Sequence, residues 1–274
     1  MSTVTRITGT FAPVGLATLI KREILRFVRR PRNTFLPPLI TNVLYLSVFG
    51  VILGQRIGEI AGFSYVLFVL PGLVVLGTIS NAFENASFSI FHGRWNEYIH
   101  ETLTSPLSYV EMVVAYVGAS AVRGLTVGVI IAVIGRLFVP ISIENGLFLV
   151  ATMVVIAALF AGFGIIGGLV ARDFDDLTVM NQFILRPLVF FGAVFYSLTM
   201  LPATWQTVSL LNPMVYMVDS VRYGLLGYSD MLEIAPAAYA EFAPYASLGV
   251  LTLLTIGVIA IDVYLFKIGY GLTD

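Results

Sequence analysis

Long uncharged stretches separated by short polar clusters set the pattern of this chain. No charged residue occurs between Arg32 and Arg56, which predicts a first membrane-spanning helix. A second covers residues 60–83 and continues to about Phe91. A third covers 109–135, interrupted only by Glu111 and Arg123, and a fourth covers 145–171. The fifth starts near Leu177 and contains Arg186, and the sixth runs from about Phe242 to Ile261, with an extension to Phe266. Each approaches or exceeds the ~20 mostly apolar residues that a helix needs to cross the hydrocarbon core.

Residues 187–218 carry no charge, yet Pro202, Asn212 and Pro213 interrupt them. Each proline removes a backbone donor and clashes with the preceding turn, which disfavours one long helix. A second full span plus a seventh helix is one solution. The preferred one ends span five and follows it with short helices that dip into the outer leaflet and return, with Trp205, Tyr216, Tyr223 and Tyr228 at the interface. Before span one, Leu16, Leu19, Ile20, Ile24 and Phe27 recur at three- and four-residue spacing, and Lys21, Arg22, Arg26, Arg29 and Arg30 take the other arc. Residues 16–30 therefore read as an amphipathic helix lying in the membrane interface, or more simply as a basic flank that sets topology.

Basic residues orient the bundle. Arg6 and the cluster from Lys21 to Arg32 share one side with Arg94, Arg172 and Lys267, and only Arg56, Arg136 and Arg222 fall opposite. The expectation is both termini in the cytoplasm, in the plasma membrane. The first span is expected to direct insertion, because no cleavage site follows a leader. The whole reads as an all-α membrane protein with six transmembrane helices, an N-terminal interfacial helix and re-entrant extracellular helices between spans five and six. It forms a single domain over 1–274, with 1–32 as the cytoplasmic flank and 33–268 as the membrane part.

Composition agrees with this reading and narrows the chemistry. Apolar residues make up 58% and charged residues 11%, with mean hydropathy +0.93. A soluble domain carries about 25% charged residues, so this chain cannot face water all round. Without cysteine, disulfides and thiolate metal sites are excluded, and nucleic acid is not an expected partner. The two histidines, His92 and His100, both lie in the loop between spans two and three, away from any intramembrane nucleophile and without metal-ligand spacing. Asp173, Asp175 and Asp176 suit a helix start better than a hard-cation site, and no metal is expected. Neither Lys21 nor Lys267 follows glycine, so no phosphate-binding loop is present and no catalytic residue is assigned.

Two segments depart from a generic bundle. One is Phe91-His-Gly-Arg-Trp-Asn-Glu-Tyr-Ile-His-Glu-Thr-Leu-Thr-Ser-Pro106. The other holds Phe195-Tyr-Ser, Leu201-Pro, Trp205, Leu211-Asn-Pro213, Tyr216, Asp219, Arg222 and Gly227; Pro71-Gly72 adds to them. In this order, on six spans, they resemble the permease subunit of type-2 ABC exporters, the drug, lipid and polysaccharide export family. The resemblance implies two permease copies, identical or paralogous, and two copies of a separate ATP-binding subunit, which would hold the ATP and magnesium. The short helix at 94–103 would be the coupling element, with Arg94, Trp95, Asn96, Glu97, Tyr98, Ile99, His100, Glu101 and Leu103 at the contact. Leu201, Pro202, Trp205, Asn212, Pro213, Tyr216, Asp219 and Arg222 would form the re-entrant exit region. Spans two and five would line the path, with Glu84, Asn181, Arg186, Phe190 and Phe195 facing it.

Ionisable groups at membrane depth need a partner or water. Glu84 and Arg186 are expected to pair at the inner mouth, as a gate or as a structural pair; Arg123, mid-span, reads as structural. Asp219 and Arg222, three apart, are expected to pair along one helix face. Gly124-x-x-x-Gly128 and Gly164-x-x-x-Gly168 predict tight helix crossings. The rival readings are a secondary transporter or channel without an ATPase, and a membrane scaffold; the substrate class stays open.

Overall fold

The computed structural model describes residues 12–185, 187–188, 191–236 and 239–272. Helix α1 (Pro13–Val28) precedes α2 (Pro31–Tyr45), which continues through a π-helical stretch at Leu46–Leu53 into the single turn α3 (Gly54–Ile57). A two-residue hairpin of β1 (Glu59–Ile60) and β2 (Phe63–Ser64) pairs Glu59 with Ser64 and Ile60 with Phe63. Its turn residues Ala61 and Gly62 have φ of 53° and 78°, the left-handed pair that a tight hairpin needs. Residues 60–64, expected within span two, thus form a hairpin, and the span begins later.

Helix α4 (Tyr65–Trp95) is the central post. It is followed by α5 (Ile99–Thr104), α6 (Tyr109–Gly135), α7 (Gly146–Val170) and α8 (Phe174–Val179). After α8 a π-helical stretch covers Met180–Leu185. Beyond the 3-10 turn Leu198–Met200 come α9 (Ala203–Ser209), α10 (Pro213–Leu226), α11 (Asp230–Ile234) and α12 (Ala243–Ile268). Among the described residues, five helical stretches are long and apolar enough to cross a membrane: Pro31–Ile57, Tyr65–Trp95, Tyr109–Gly135, Gly146–Val170 and Ala240–Ile268. The expected fifth span falls on α8 and the π stretch, and Arg186, Val189 and Phe190 lie outside the described residues.

Glycines bring α4, α6 and α7 together. A Cβ on Gly124 would stand 2.6 Å from the Thr78 carbonyl oxygen, and Cβ atoms on Gly164 and Gly168 would stand 2.5 and 2.6 Å from the Phe83 and Ser87 carbonyls. Gly124, Gly164 and Gly168 therefore sit at backbone-tight crossings on α4, while Gly128 faces the Thr78 side chain. Helix α12 runs alongside α7, with Gly162 against Val258 and Asp262.

The prolines at 202 and 213 act as breaks. Pro202 is the N-cap of α9, and Pro213 is the first residue of α10, where a missing N–H is harmless. The Asn212 side chain accepts from Met214 N at 3.0 Å and donates to Leu188 O at 2.8 Å. With 14 residues, α10 is about 21 Å long, short of the ~30 Å hydrocarbon core, and it is buried on most of its surface.

Helix α1 buries Leu19, Glu23 and Phe27 and leaves Lys21, Arg29 and Arg30 exposed. Its start is tied to α6 by Ala12 N donating to Glu111 Oε1 at 2.8 Å, while Glu111 also completes a capping box with Ser108. The Asp173 carboxylate accepts from Asp176 N at 2.8 Å and so caps α8, the dipole role expected of that cluster.

Candidate functional site

A cavity of about 290 Å3 opens between α2, α4 and α6 and is closed by Asn181 and Phe195. Helix α4 turns Gly77, Asn81 and Glu84 toward it at three- and four-residue spacing. Arg123 reaches in from α6: its Nη2 lies 3.5 Å from Glu84 Oε2 and donates to Asn81 Oδ1 at 3.3 Å. The Asn181 amide donates to Glu84 Oε1 at 3.0 Å. Phe195 stacks on Phe49 with centroids 4.5 Å apart, and Tyr65 Oη donates to its carbonyl at 3.2 Å.

Of the expected path residues, Glu84, Asn181 and Phe195 thus line one cavity, whereas Arg186 and Phe190 lie outside the described residues. Among the described residues the cation that Glu84 meets is Arg123, the residue expected to be structural. Exchanging the two charges tests this pair. Glu84→Arg or Arg123→Glu alone should each lower unfolding stability by about 1–2 kcal/mol, less than the ~3–5 kcal/mol of a fully buried pair because the Glu84 side chain is 37% exposed. The double exchange should recover part of the loss, measured as thermal unfolding in detergent; a double variant no better than the singles would refute the pairing.

The cavity floor continues into a polar chain that sequence reasoning missed. Glu23, on the buried arc of α1, accepts from Ser89 Oγ at 2.5 Å and faces Arg26 Nε at 3.2 Å. Arg26 donates to Asn85 O and Oδ1 at 2.8 and 3.1 Å, and Arg123 approaches the same Oδ1 at 3.5 Å. An acid in line with Leu19 and Phe27, four residues from each, was the available signal. Asp262 was missed as well: it is fully buried on α12 against Gly162, and neither carboxylate oxygen has a partner among the described residues.

The loop after α4 differs from the expected helix over 94–103. Arg94 and Trp95 still belong to α4, because the chain breaks at Glu97, whose φ of 61° ends the helix, and restarts as α5 at Ile99. Arg94 is half-buried, and its Nη1 donates to Gly168 O and Ala171 O at 2.8 and 2.9 Å, satisfying the end of α7. Ile99 is buried, and Tyr98 and Leu103 are half-buried. Arg22 of α1 lies 5.8 Å from the Tyr98 ring, and burial pushes that phenol's pKa up. Trp95, Asn96, Glu97, His100 and Glu101 are exposed, and Trp95 stands beside Phe91 and Phe174.

At the opposite end, Arg222 is fully buried, with its guanidinium 3.9 Å from the Phe68 ring centroid. The expected Asp219–Arg222 pair is replaced. Arg222 Nη1 meets Asp230 Oδ2 at 3.1 Å and Nη2 donates to Ala193 O at 2.8 Å, while Asp219 accepts from Ser229 Oγ and Asp230 N at 2.6 and 2.7 Å. The turn at Gly227, φ 70°, folds α11 back onto α10 and brings Asp230 to an arginine that a straight helix would keep from it. Leu201 and Pro202 lead into α9, where Trp205 is exposed, and Tyr216 Oη donates to Leu210 O at 2.8 Å.

A bundle of bilayer-length helices with a charge-balanced polar cavity beside α2 defines a multi-pass membrane protein. Residues 15–226 match the ABC-2 type transporter family. The chain is 41% identical over 218 residues to the inner membrane transport permease YadH of Escherichia coli K12, covering 80% of this chain and 85% of that protein. It is 26% identical to nodulation protein J of Rhizobium leguminosarum bv. viciae over 216 residues, 76% of this chain and 80% of the relative. The chain belongs to the ABC-2 type transporter family, as its transmembrane, non-enzymatic permease subunit.

Proposed function

We propose that the chain exports a hydrophobic or amphipathic substrate from the cytoplasm by alternating access, driven by a separate ATPase subunit. In this reading there are six spans, the segment around α8 and Met180–Leu185 supplying the fifth, and both termini lie in the cytoplasm. Two permease copies, identical or paralogous, would join two ATP-binding subunits that carry the ATP and magnesium. The stripe Leu36, Ile40, Leu44, Val48 and Ile52 on α2 and the π stretch beyond it, exposed at four-residue spacing, suits contact with a second copy or with lipid. Helices α9 and α10 act as the re-entrant exit region.

The observation that carries the reading is the loop after α4. Trp95, Asn96, Glu97, His100 and Glu101 point outward, while Arg94 and Ile99 fasten the same loop to α7 and the core. A partner pressing on this surface acts directly on the central helix and on α1. Glu97→Lys with Glu101→Lys should reduce co-purification of the ATP-binding subunit at least about tenfold, because like-charge juxtaposition costs several kcal/mol at an interface. Thermal unfolding of the permease should be unchanged. If no ATP-binding subunit accompanies the wild-type chain in mild detergent, the export reading falls.

A further inference from the structure

The elbow between α1 and α2 concentrates positive charge that nothing nearby answers. Arg29, Arg30 and Arg32 fall within four residues, all are exposed, and none meets a carboxylate among the described residues. No acid occurs in the chain between Glu23 and Glu59. Glu23 is buried and engaged by Arg22, Arg26 and Ser89, and Glu84 by Arg123 and Asn181. The elbow is also fixed from within. The buried Thr34 hydroxyl donates to Phe27 O at 3.0 Å, and Asn33 N and Thr34 N each donate to Arg30 O at 3.1 Å. The turn that carries the three guanidinium groups is therefore held in one shape.

This charge opens onto apolar surface. A shallow groove starts at Arg32 and runs over Leu36, Pro37 and Ile40, one and two turns further along α2. Leu36 and Ile40 are each 49% exposed, and Val28, just before the arginines, is 48% exposed. The stretch Pro31–Ile57 is long enough to cross a membrane, so its first residues stand where hydrocarbon gives way to headgroups.

Charge and groove together select the occupant. Free phosphate satisfies the arginines and leaves Leu36 and Ile40 wet. A second copy packed by two-fold symmetry on this end of α2 brings its own arginines toward these, like against like. A zwitterionic lipid carries a cation of its own into the cluster. An anionic phospholipid supplies both halves: its phosphate accepts paired hydrogen bonds from the guanidinium groups, and an acyl chain covers the groove.

We infer that the α1–α2 elbow binds an anionic phospholipid, its phosphate held by Arg29, Arg30 and Arg32 and one acyl chain lying over Leu36 and Ile40. The lipid is a bound component and not the transported solute, so the inference stands apart from the export reading.

The test is titration of phosphatidylglycerol and phosphatidylcholine, with matched acyl chains, into the full chain in mild detergent, with retained lipid counted by native mass spectrometry. The expected result is one phosphatidylglycerol per chain, held at least about tenfold more tightly than phosphatidylcholine. Arg29→Gln with Arg32→Gln should weaken it about twenty-five-fold, at about fivefold per cation. Arg172→Gln with Lys267→Gln removes the same charge from exposed positions outside the elbow and should change binding less than about twofold. Leu36→Gln, which keeps every charge, should weaken the phospholipid about threefold. Millimolar inorganic phosphate should not displace it. Should the elbow double variant fail to yield monodisperse protein, Arg30→Gln and Leu36→Gln carry the decision. Equal retention of the two lipids, or equal losses in the two double variants, would reduce the site to diffuse attraction and overturn the inference. Displacement by inorganic phosphate would assign the elbow to a free anion, and retention by the monomer but not the dimer would assign the groove to a second copy; either also overturns it. Co-purification of the ATP-binding subunit tests the export reading separately on the same preparations.

Discussion

Arg222→Ala is expected to cost about 3–5 kcal/mol of unfolding stability, the range for removing one partner of a buried ion pair. Arg222 and Asp230 are both fully buried, and their contact is 3.1 Å. Asp230 also accepts from Ser197 Oγ at 2.5 Å, Tyr228 Oη at 2.8 Å and Leu198 N at 3.1 Å, so it cannot turn out to solvent when the arginine is lost. The same guanidinium holds Ala193 O and covers Phe68, so α4, α10, α11 and the chain near residue 193 loosen together. Asp230→Ala should be comparably severe. The double variant should be milder than the sum, since neither charge is then left alone. Thermal unfolding in detergent reads all three, and a loss below about 1 kcal/mol in Arg222→Ala would mean that the cluster is solvated and not a clamp.

Gly164→Leu should be of similar severity by a different route. A Cβ at this position would lie 2.5 Å from the Phe83 carbonyl and 2.8 Å from Ala86 Cβ, and neither can step aside without moving α4. Overpacking costs about 1–3 kcal/mol where side chains can adjust, and a backbone obstacle places this change at or above the top of that range. Gly164→Ala tests the same crossing with a single methyl. By contrast, Gly249→Leu on α12 should be nearly silent, because nothing stands within 4 Å of its added Cβ. If Gly164→Leu unfolds no earlier than Gly249→Leu, the close crossing does not exist in the membrane.

The long spans were legible because composition alone decides them: uncharged runs of bilayer length recur, and among the described residues five emerge as helices. The glycine spacings, the breaks at Pro202 and Pro213 and the cap at Asp173 followed equally from local rules. Partner choice among charges did not. Asp219 and Arg222 are close in sequence and on one helix face, yet the turn at Gly227 delivers Asp230 to the arginine from a different element. Glu23 lies among the cations of α1 in the sequence, and only the tertiary packing of that helix shows its carboxylate accepting from Ser89. The loop boundary was missed because it depends on one left-handed residue, Glu97, which nothing local in its neighbours announces.

The glycine-tight crossings divide the chamber into two unlike halves. Its α4 and α6 wall is close-packed at Gly124, where even a single added methyl would stand 2.6 Å from the Thr78 carbonyl oxygen. Its other wall is α2, interrupted by Pro37 and Pro38 and continued in π-helical turns, together with the π stretch that carries Asn181. Wide π turns hold one extra residue per bond and depart locally from the regular α-helix. The chamber thus has one close-packed wall and one wall of irregular helix.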